Sequence, residues 1–354
     1  MNKDQYPLLT NITYLNTAYV GLMSSELAKF RRTHEEDYLS IGGDYYKIEA
    51  DAKLESIHNN FASFFGLAAG RIFGISNFSS GIRIALSFFS KEMKVMIIDD
   101  DYPSLTNAFK EQNFNYTMIA MEYNLEQAIE NKLKSEPIDI LALSIVQYTN
   151  GLLIDQDFLI RIKNDYPELI IIGDGTQFLG AYEFNFDKSP FDMVIGSGYK
   201  WLLSGFGNGI LMISQNLESK LGLALEKIRE RFFQGHFNIL GLASLDFSLK
   251  QLDQYDFKKL IKKKSILSQK AKAELTALGF LPRWVSERSN HSSIFSIKGG
   301  ELLFQFLQKK NIRCVIRGKG IRISFHFYNN DADLKKLILA LKEFKILNGN
   351  LSLD

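Results

Sequence analysis

The sequence predicts an α/β protein: a large domain with a mainly parallel sheet flanked by helices, followed by a smaller α+β C-terminal domain. Short runs rich in Val, Ile and Leu alternate with helical patterns through the middle of the chain. These runs do not alternate polar with apolar residues, which is typical of strands buried on both faces. After residue 214 the pattern changes to long helices and then to mixed strands and helices, as in a smaller α+β unit.

The elements of the large domain follow from these runs. Strands are predicted at 71–76, 94–99, 115–121, 140–146, 169–174, 192–198 and 209–214. Helices are predicted between them, from about 80 to 90, from Pro103 onward, over 124–134 and over 155–165.

The C-terminal part is predicted with the same reasoning. Residues 216–280 are mostly helical, and further elements are expected as strands at 292–297, 313–317 and 320–328 and as helices at 300–309 and 331–344. We place the large domain at 15–245 and the small domain at 246–354, together with the N-terminal segment 1–14.

Composition excludes several classes of function. The chain has 354 residues, 46% of them apolar, and a net charge of +2, so neither nucleic acid nor an anionic membrane is indicated as a partner. Its single cysteine, Cys314, excludes an internal disulfide and a multi-cysteine metal site, and no metal is expected. The N-terminus lacks an apolar signal-peptide core, and no run approaches the ~20 apolar residues of a membrane span. We expect a cytoplasmic protein.

Polar groups at strand ends are the candidates for chemistry, because ligands bind where the strands of a parallel sheet end. Asp174 ends a strongly apolar run, and its carboxylate either faces a cleft or caps the next turn. Lys200 lies between Tyr199 and Trp201, just after another apolar run. It is either a lysine that lies along Trp201 or a desolvated amine able to form a Schiff base.

Two further strand ends carry weaker signals. The segment "NFSSG" at 77–81 opens a helix, and this pattern fits an ordinary serine cap or a phosphate site. Tyr102 precedes Pro103, which fits a simple helix start or a platform for ring stacking. Taken together, the phosphate site, the aromatic ring, the aspartate and the lysine match one ligand, pyridoxal 5′-phosphate (PLP).

The chain also resembles a known family. The segments "LSIVQYTNGLLIDQDFL", "IIIGDGTQFLGAYEF" and "FDMVIGSGYKWLLSGFGNGILMI" are similar to those of the class V aminotransferase family of fold-type I PLP enzymes, whose members include cysteine desulfurases, kynureninases and isopenicillin N epimerases. The N-terminal "YLNTAYVGLMS" and the C-terminal "GIRISFHFYNNDADLKKLILAL" extend the resemblance over nearly the whole chain.

The resemblance implies roles for individual residues. Lys200 would attach the cofactor, and Asp174 would pair with its ring nitrogen. Arg322 would bind the α-carboxylate of the substrate, with Asn16 and Gln147 also at the substrate. The remaining cofactor-binding residues implied by the resemblance are Gln177 at the phenolic oxygen, Tyr102 at the ring, and Ser79, Ser80, Gly81, Ser197, Tyr199 and His236 at the phosphate.

Two departures from the family are visible. Some relatives have Gly-Thr where this chain has "QGHFN", so that His236 stands where a threonine contacts the neighbouring subunit's cofactor phosphate. Cysteine desulfurases carry their nucleophilic cysteine on a loop before the arginine, whereas only "GKG" separates "CVIR" from "IRIS" here. Cys314 is therefore interpreted as a small core residue, and a desulfurase is not expected.

These observations predict a homodimeric PLP enzyme acting on an amino acid or amine, with its active sites at the subunit interface. Transamination is the favoured reaction. A lyase or epimerase of the same family, resembling kynureninase or isopenicillin N epimerase, remains the alternative. A non-catalytic paralogue that binds PLP remains the third possibility.

Overall fold

The computed structural model describes residues 3–68, 70–233, 235–236 and 238–348. The strands are β1 Thr13–Tyr14, β2 Ile72–Ile75, β3 Lys94–Ile98, β4 Asn115–Ile119, β5 Ile140–Ser144, β6 Ile170–Asp174, β7 Met193–Ser197, β8 Gly209–Ile213, β9 Ile294–Ile297, β10 Ile312–Arg313, β11 Val315–Arg317 and β12 Gly320–Ser324. The α-helices are α1 Ser25–Ile41, α2 Gly43–Phe65, α3 Phe78–Leu86, α4 Pro103–Glu111, α5 Leu125–Ser135, α6 Gln156–Asp165, α7 Gln215–Leu221, α8 Leu225–Phe232, α9 Ile239–Gln254, α10 Phe257–Ala277, α11 Arg283–Glu287, α12 Glu301–Lys309 and α13 Asp331–Asn348.

A seven-stranded sheet in the order β2-β8-β7-β6-β5-β3-β4 forms the centre of the large domain. Every pair from β7 to β4 is parallel, and only β8 runs against its neighbours. The predicted α/β architecture with a mainly parallel sheet is confirmed, and each strand predicted between 71 and 214 is present.

Helices cover both faces of this sheet. Alternate residues of β3 belong to two different apolar clusters, with Val95 and Ile97 in one and Met96 and Ile98 in the other. Since successive side chains of a strand point to opposite faces, both faces of the sheet are buried. This explains why the sequence shows continuous apolar runs.

A smaller antiparallel sheet in the order β11-β12-β9 lies in the C-terminal part. The strand predicted at 313–317 is split at Cys314 into β10 and β11, and the strand predicted at 320–328 ends at Ser324. The N-terminal β1 pairs in parallel with β10, which supports placing the N-terminal segment with the C-terminal domain. The division of the chain at residue 245, which falls inside α9, remains a prediction, and residues 1, 2 and 349–354 of the small domain lie outside the described residues.

Two long helices, α1 and α2, precede the sheet and were not predicted. Ser24 caps α1 by accepting a hydrogen bond from the Leu27 N–H. Both helices pack against α9. No helix within the described ranges is both long and apolar enough to cross a bilayer.

Candidate active site

Lys200 lies just after β7, in a turn at the carboxyl edge of the large sheet. Its side chain is buried, with the residue only 7% exposed. Its Nζ lies 5.8 Å from the centre of the Tyr102 ring and 5.5 Å from that of Tyr199. Burial lowers the pKa of Lys200, while the nearby Asp174 carboxylate opposes this shift. The amine is therefore closer to its neutral, nucleophilic form than a surface lysine.

Asp174 ends β6, the strand adjacent to β7, and lies opposite Ile195 in the strand register. Its Oδ1 accepts a 2.8 Å hydrogen bond from the Thr176 N–H. Burial raises the pKa of Asp174, and the Thr176 hydrogen bonds and the charge of Lys200 oppose that rise. A carboxylate and an amine thus share one buried site at neighbouring strand ends.

The ends of β3 and β5 lie along the same edge. Tyr102 follows β3, and its ring meets that of Tyr148 edge to face with 5.6 Å between centres. Gln147 follows β5 and is buried. Among the described residues its side-chain amide has no hydrogen-bond partner of good geometry, although it lies close enough to Asp101 to lower the pKa of that carboxyl. Because unpaired buried amides are costly, this group is suited to bind a ligand.

The N-terminus of α3 approaches β7. Asn77 caps the helix by accepting from the Ser80 N–H, which is why α3 begins two residues earlier than predicted. Ser197, at the end of β7, accepts a 2.9 Å hydrogen bond from the Phe78 N–H. Ser197 therefore lies at the helix N-terminus, where an anion is stabilised.

The other predicted phosphate residues of α3 differ in their contacts. Ser79 donates to the Ser104 hydroxyl at 2.8 Å, and Ser80 donates to the Asn77 carbonyl at 3.1 Å. Gly81 faces the sheet: a Cβ there would lie 2.5 Å from Ile75 Cδ1. A glycine is therefore required here for helix–strand packing, and its contact with the cofactor phosphate remains a prediction.

Gln177 connects the lysine turn to the N-terminal segment. Its Nε2 donates to the Ala18 carbonyl at 2.8 Å, and its Oε1 accepts from the Trp201 indole at 2.7 Å. An amide nitrogen carries two hydrogens, so one donor remains for the predicted contact with the cofactor's phenolic oxygen.

The N-terminal segment also touches the lysine turn directly. The Gly21 N–H donates to the Tyr199 carbonyl at 2.9 Å. A Cβ on Gly21 would lie 2.0 Å from the Lys200 carbonyl oxygen, so no larger residue fits there. The Tyr199 ring stacks on Phe206, and burial raises the pKa of Tyr199 to about 12. Its phenol therefore stays protonated and can donate a hydrogen bond.

Arg322 reaches this edge from β12 of the smaller sheet. It is only 2% exposed, and its guanidinium donates to the Tyr148 carbonyl. Its buried Nε has no partner among the described residues. Burial lowers the pKa of Arg322 to about 10, which leaves it charged at neutral pH. Asn16 forms a backbone bridge with Ser324, two residues beyond Arg322, and its buried Oδ1 is likewise without a partner in the part of the chain that the structure describes.

Two residues discussed in the sequence analysis, His236 and Cys314, lie away from this group. His236 is exposed, in the segment before α9, and lines an outer cleft with His34 and Tyr46. Its contact with a neighbouring subunit's phosphate remains a prediction. Cys314 is 6% exposed, and burial raises the pKa of its thiol to about 12. Only Gly318 and Lys319 connect β11 to β12.

Two further charged residues of the site were not predicted. Asp101 follows β3 and accepts hydrogen bonds from the backbone N–H and hydroxyl of Ser144. The reasoning about strand ends that selected Asp174 applies equally to Asp101. Arg317, at the end of β11, places its guanidinium 5.0 Å from the centre of the Tyr19 ring. Its only signal in sequence is its place five residues before Arg322.

These residues fit PLP. The site provides a buried amine, a buried carboxylate beside it, an aromatic ring and a helix N-terminus that is capped by Asn77 and whose Phe78 N–H is bound by the Ser197 hydroxyl. In the described part of the chain, the three predicted substrate-binding residues each have a buried polar atom without a hydrogen-bond partner. They are Asn16, Gln147 and Arg322.

The comparison with protein families agrees with this geometry. The family described as Aminotransferase class-V matches residues 42–337. A probable cysteine desulfurase of Borreliella burgdorferi is 23% identical over 365 residues, covering 85% of this chain and 83% of that protein. A probable cysteine desulfurase of Ureaplasma parvum is 24% identical, but the alignment spans only 55% of this chain and 56% of that protein.

Solved structures share the whole fold. A mutant of the protein C-DES, with glycine covalently linked to its PLP cofactor, superposes with a TM-score of 0.85 at 16% identity, covering 96% of this chain and 99% of that one. A complex described as the cystine C-S lyase C-DES with its product cysteine persulfide gives 0.82 at 16% identity, covering 95% and 99%.

Proposed function

Because the chain belongs to the class V aminotransferase family and uses PLP, we propose that it is a lyase that cleaves the Cβ–S bond of a cysteine-derived amino acid. The main support for this proposal is that the groups which would bind an amino acid and the single cysteine lie in different parts of the fold. The amine, the carboxylate and the guanidinium that an amino acid needs lie together, whereas the only cysteine, Cys314, is buried between β10 and β11 in the apolar cluster of the C-terminal part.

The cofactor would be held by Lys200 through its aldehyde, by Asp174 at its ring nitrogen and by the N-terminus of α3 at its phosphate. PLP supplies an electron sink that stabilises negative charge at the substrate's α-carbon. Tyr102 would cover the ring, as its position beside Lys200 suggests.

The protein's own residues would carry the remaining steps. Arg322 binds the α-carboxylate as a paired guanidinium–carboxylate contact. The Lys200 amine would take up the proton from the substrate's α-carbon, a role favoured by its lowered pKa. The Cβ–S bond then breaks, and the sulfur leaves with the bonding electron pair. Water finally releases ammonia and pyruvate.

Sulfur transfer to an enzyme cysteine is not part of this proposal. The turn of two residues between β11 and β12 leaves no loop on which a thiol could reach the substrate. A thiol with a raised pKa is also a poor nucleophile at neutral pH. The names of the relatives, cysteine desulfurases and a cystine C-S lyase, support sulfur-bearing substrates.

The test is to incubate the PLP-loaded enzyme with L-cystine or S-substituted L-cysteines and to measure pyruvate, ammonia and the sulfur product. Stoichiometric pyruvate and sulfur product support the lyase. Conversion of amino acids to their keto acids, with the cofactor passing to its amine form and no sulfur released, would instead establish transamination, the reaction favoured by sequence. Lys200→Ala should abolish turnover in either case, and borohydride should no longer fix the cofactor to the chain.

We also propose a cytoplasmic homodimer with active sites at the subunit interface. The resemblance to the family and the exposed position of His236 support the dimer. Sedimentation of the enzyme at several concentrations measures its oligomeric state, and a monomer that is fully active would contradict the shared site.

A further inference from the structure

Three positive charges converge at the substrate side of the active site. Besides Lys200 and Arg322, the guanidinium of Arg317 is close enough for its charge to lower the pKa of both. Within the described part of the chain, Arg317 has no carboxylate partner, and its guanidinium lies against the ring of Tyr19.

The strand register explains why the two arginines face the same way. Arg317 lies opposite Gly320, and Val315 lies opposite Arg322, in the antiparallel pair β11–β12. Residues opposite each other share a face, so Arg317 and Arg322 are diagonal neighbours on one face, within reach for long side chains. Gly320 has no side chain to separate them.

Like charges so close together are destabilising unless anions lie between or beside them. Asp174 balances Lys200. The substrate's α-carboxylate would balance Arg322. Arg317 remains, partly buried and next to Tyr19, which is 47% exposed.

The position of Arg317 also separates it from the predicted phosphate site. The phosphate is expected at the N-terminus of α3, where Ser197 binds the Phe78 N–H. The charge of Arg317 acts instead on Tyr148, whose carbonyl binds Arg322. Arg317 therefore lies beside Arg322, the predicted ligand of the α-carboxylate, and next to an exposed aromatic ring.

We propose that Arg317 binds a second anionic group at the far end of the substrate's side chain, so that the preferred substrates are amino acids with a negatively charged side-chain terminus. This inference rests on the proposed function, in which Arg322 binds the α-carboxylate. A guanidinium can hold a carboxylate or a sulfonate through two parallel hydrogen bonds. Tyr19 holds the guanidinium in place by a cation–π contact.

The test uses matched amino acids that contain no sulfur. The PLP-loaded wild-type enzyme is titrated with L-glutamate and L-glutamine, and with L-aspartate and L-asparagine, while the cofactor absorbance reports the dissociation constant. The anionic member of at least one pair should bind about tenfold more tightly or better. Because no C–S bond is involved, this result is independent of whether the enzyme proves to be a lyase.

Variants locate the effect. Arg317→Gln should weaken binding of the anionic member about tenfold or more and change binding of the neutral member less than about threefold. Arg317→Lys should keep part of the preference. Lys319→Gln removes an exposed cation from the same hairpin and should keep all of it.

Three outcomes would overturn the inference. The wild-type enzyme could show no preference within either pair, a result that needs no variant to fold. Arg317→Gln could weaken both members of a pair equally. It could also lower the affinity for PLP while leaving the preference unchanged, which would assign Arg317 to the cofactor phosphate.

Discussion

The indole N–H of Trp201 donates a 2.7 Å hydrogen bond to Gln177 Oε1, and the amide nitrogen of Gln177 donates to the Ala18 carbonyl at 2.8 Å. All three groups are buried. Through this pair the N-terminal segment and the turn that carries Lys200 are held in a fixed relation. Gln177 is therefore a positioning residue for the lysine, whatever it contributes to the cofactor.

Gln177→Leu keeps the approximate size of the side chain but removes the partners of the buried Trp201 N–H and the buried Ala18 carbonyl. We expect a loss of about 2 kcal/mol or more in the free energy of unfolding, measured by urea denaturation, together with weaker PLP binding. Trp201→Phe removes the indole donor together with part of a buried ring, and it serves as the second single variant. The double variant should lose about 1 kcal/mol less in the free energy of unfolding than the sum of the two single losses. A loss equal to that sum would show that the hydrogen bond has no role.

Asp174→Asn tests the carboxylate beside the lysine. An amide cannot hold the ring nitrogen of PLP protonated, so the transition state should lose at least about 3 kcal/mol, or roughly a hundredfold in kcat. The expected readouts are kcat with the best substrate and the absorbance of the bound cofactor. Turnover at the wild-type rate would contradict the proposed ion pair.

Much of the fold could be predicted from sequence because the buried strands leave an unmistakable pattern. Continuous apolar runs such as 140–146 and 169–174 required helices on both faces, and the structure has them. α1 was missed because it buries only Leu27, and α2 because its first half buries only Ala50, its other buried residues lying between Ile57 and Phe65. Helices with so little apolar periodicity leave little signal.

The site was predictable where residues follow strands and not where they meet across sheets. Asp174, Tyr102 and Lys200 each follow a strand of the large sheet, and parallel topology brings those ends together. Arg317 acts here only because β11 and β12 pair in one particular register, and sequence does not reveal a register between short strands. The direction of Gly81 was likewise set by packing.

Cys314→Ala tests whether the thiol takes part in the reaction. The side chain belongs to the apolar cluster of the smaller sheet, so its truncation should cost about 1 kcal/mol of stability. Activity on the proposed substrates should be nearly unchanged, and iodoacetamide at neutral pH should leave the activity of the wild-type enzyme intact. If the wild-type enzyme released sulfide from L-cysteine in the presence of a reductant and this variant did not, the reaction would be that of a desulfurase.

Lys264 is a second buried lysine, 2% exposed, on α10. Its Nζ donates to the Ala181 carbonyl and lies 4.3 Å from the centre of the Tyr182 ring and 5.4 Å from that of Trp201. No carboxylate of the described residues compensates its charge, and burial lowers the pKa of Lys264 to about 7.

This shift makes stability depend on pH. Between pH ~7 and pH ~10.4, the pKa of an unfolded lysine, the unfolded chain binds about one proton more at this site than the folded chain. The free energy of unfolding should therefore rise with pH in this range, by about 1.4 kcal/mol per pH unit from Lys264 alone. As pH falls from ~10.4 toward ~7, the stability that the folded chain has when Lys264 is neutral in both states is progressively lost.

Lys264→Met should remove this slope while preserving most of the packing against Trp201. The free energy of unfolding of the wild-type protein and the variant, measured in urea at several pH values between about 7 and about 10, should differ in slope by about 1.4 kcal/mol per unit, with the variant gaining relative stability at the lower end. Lys263→Met removes an exposed neighbour on the same helix and should leave the wild-type slope intact. Parallel curves for the wild-type protein and Lys264→Met would mean that Lys264 stays protonated in the folded chain, and that its contacts with the two rings and the carbonyl compensate for burial of its charge.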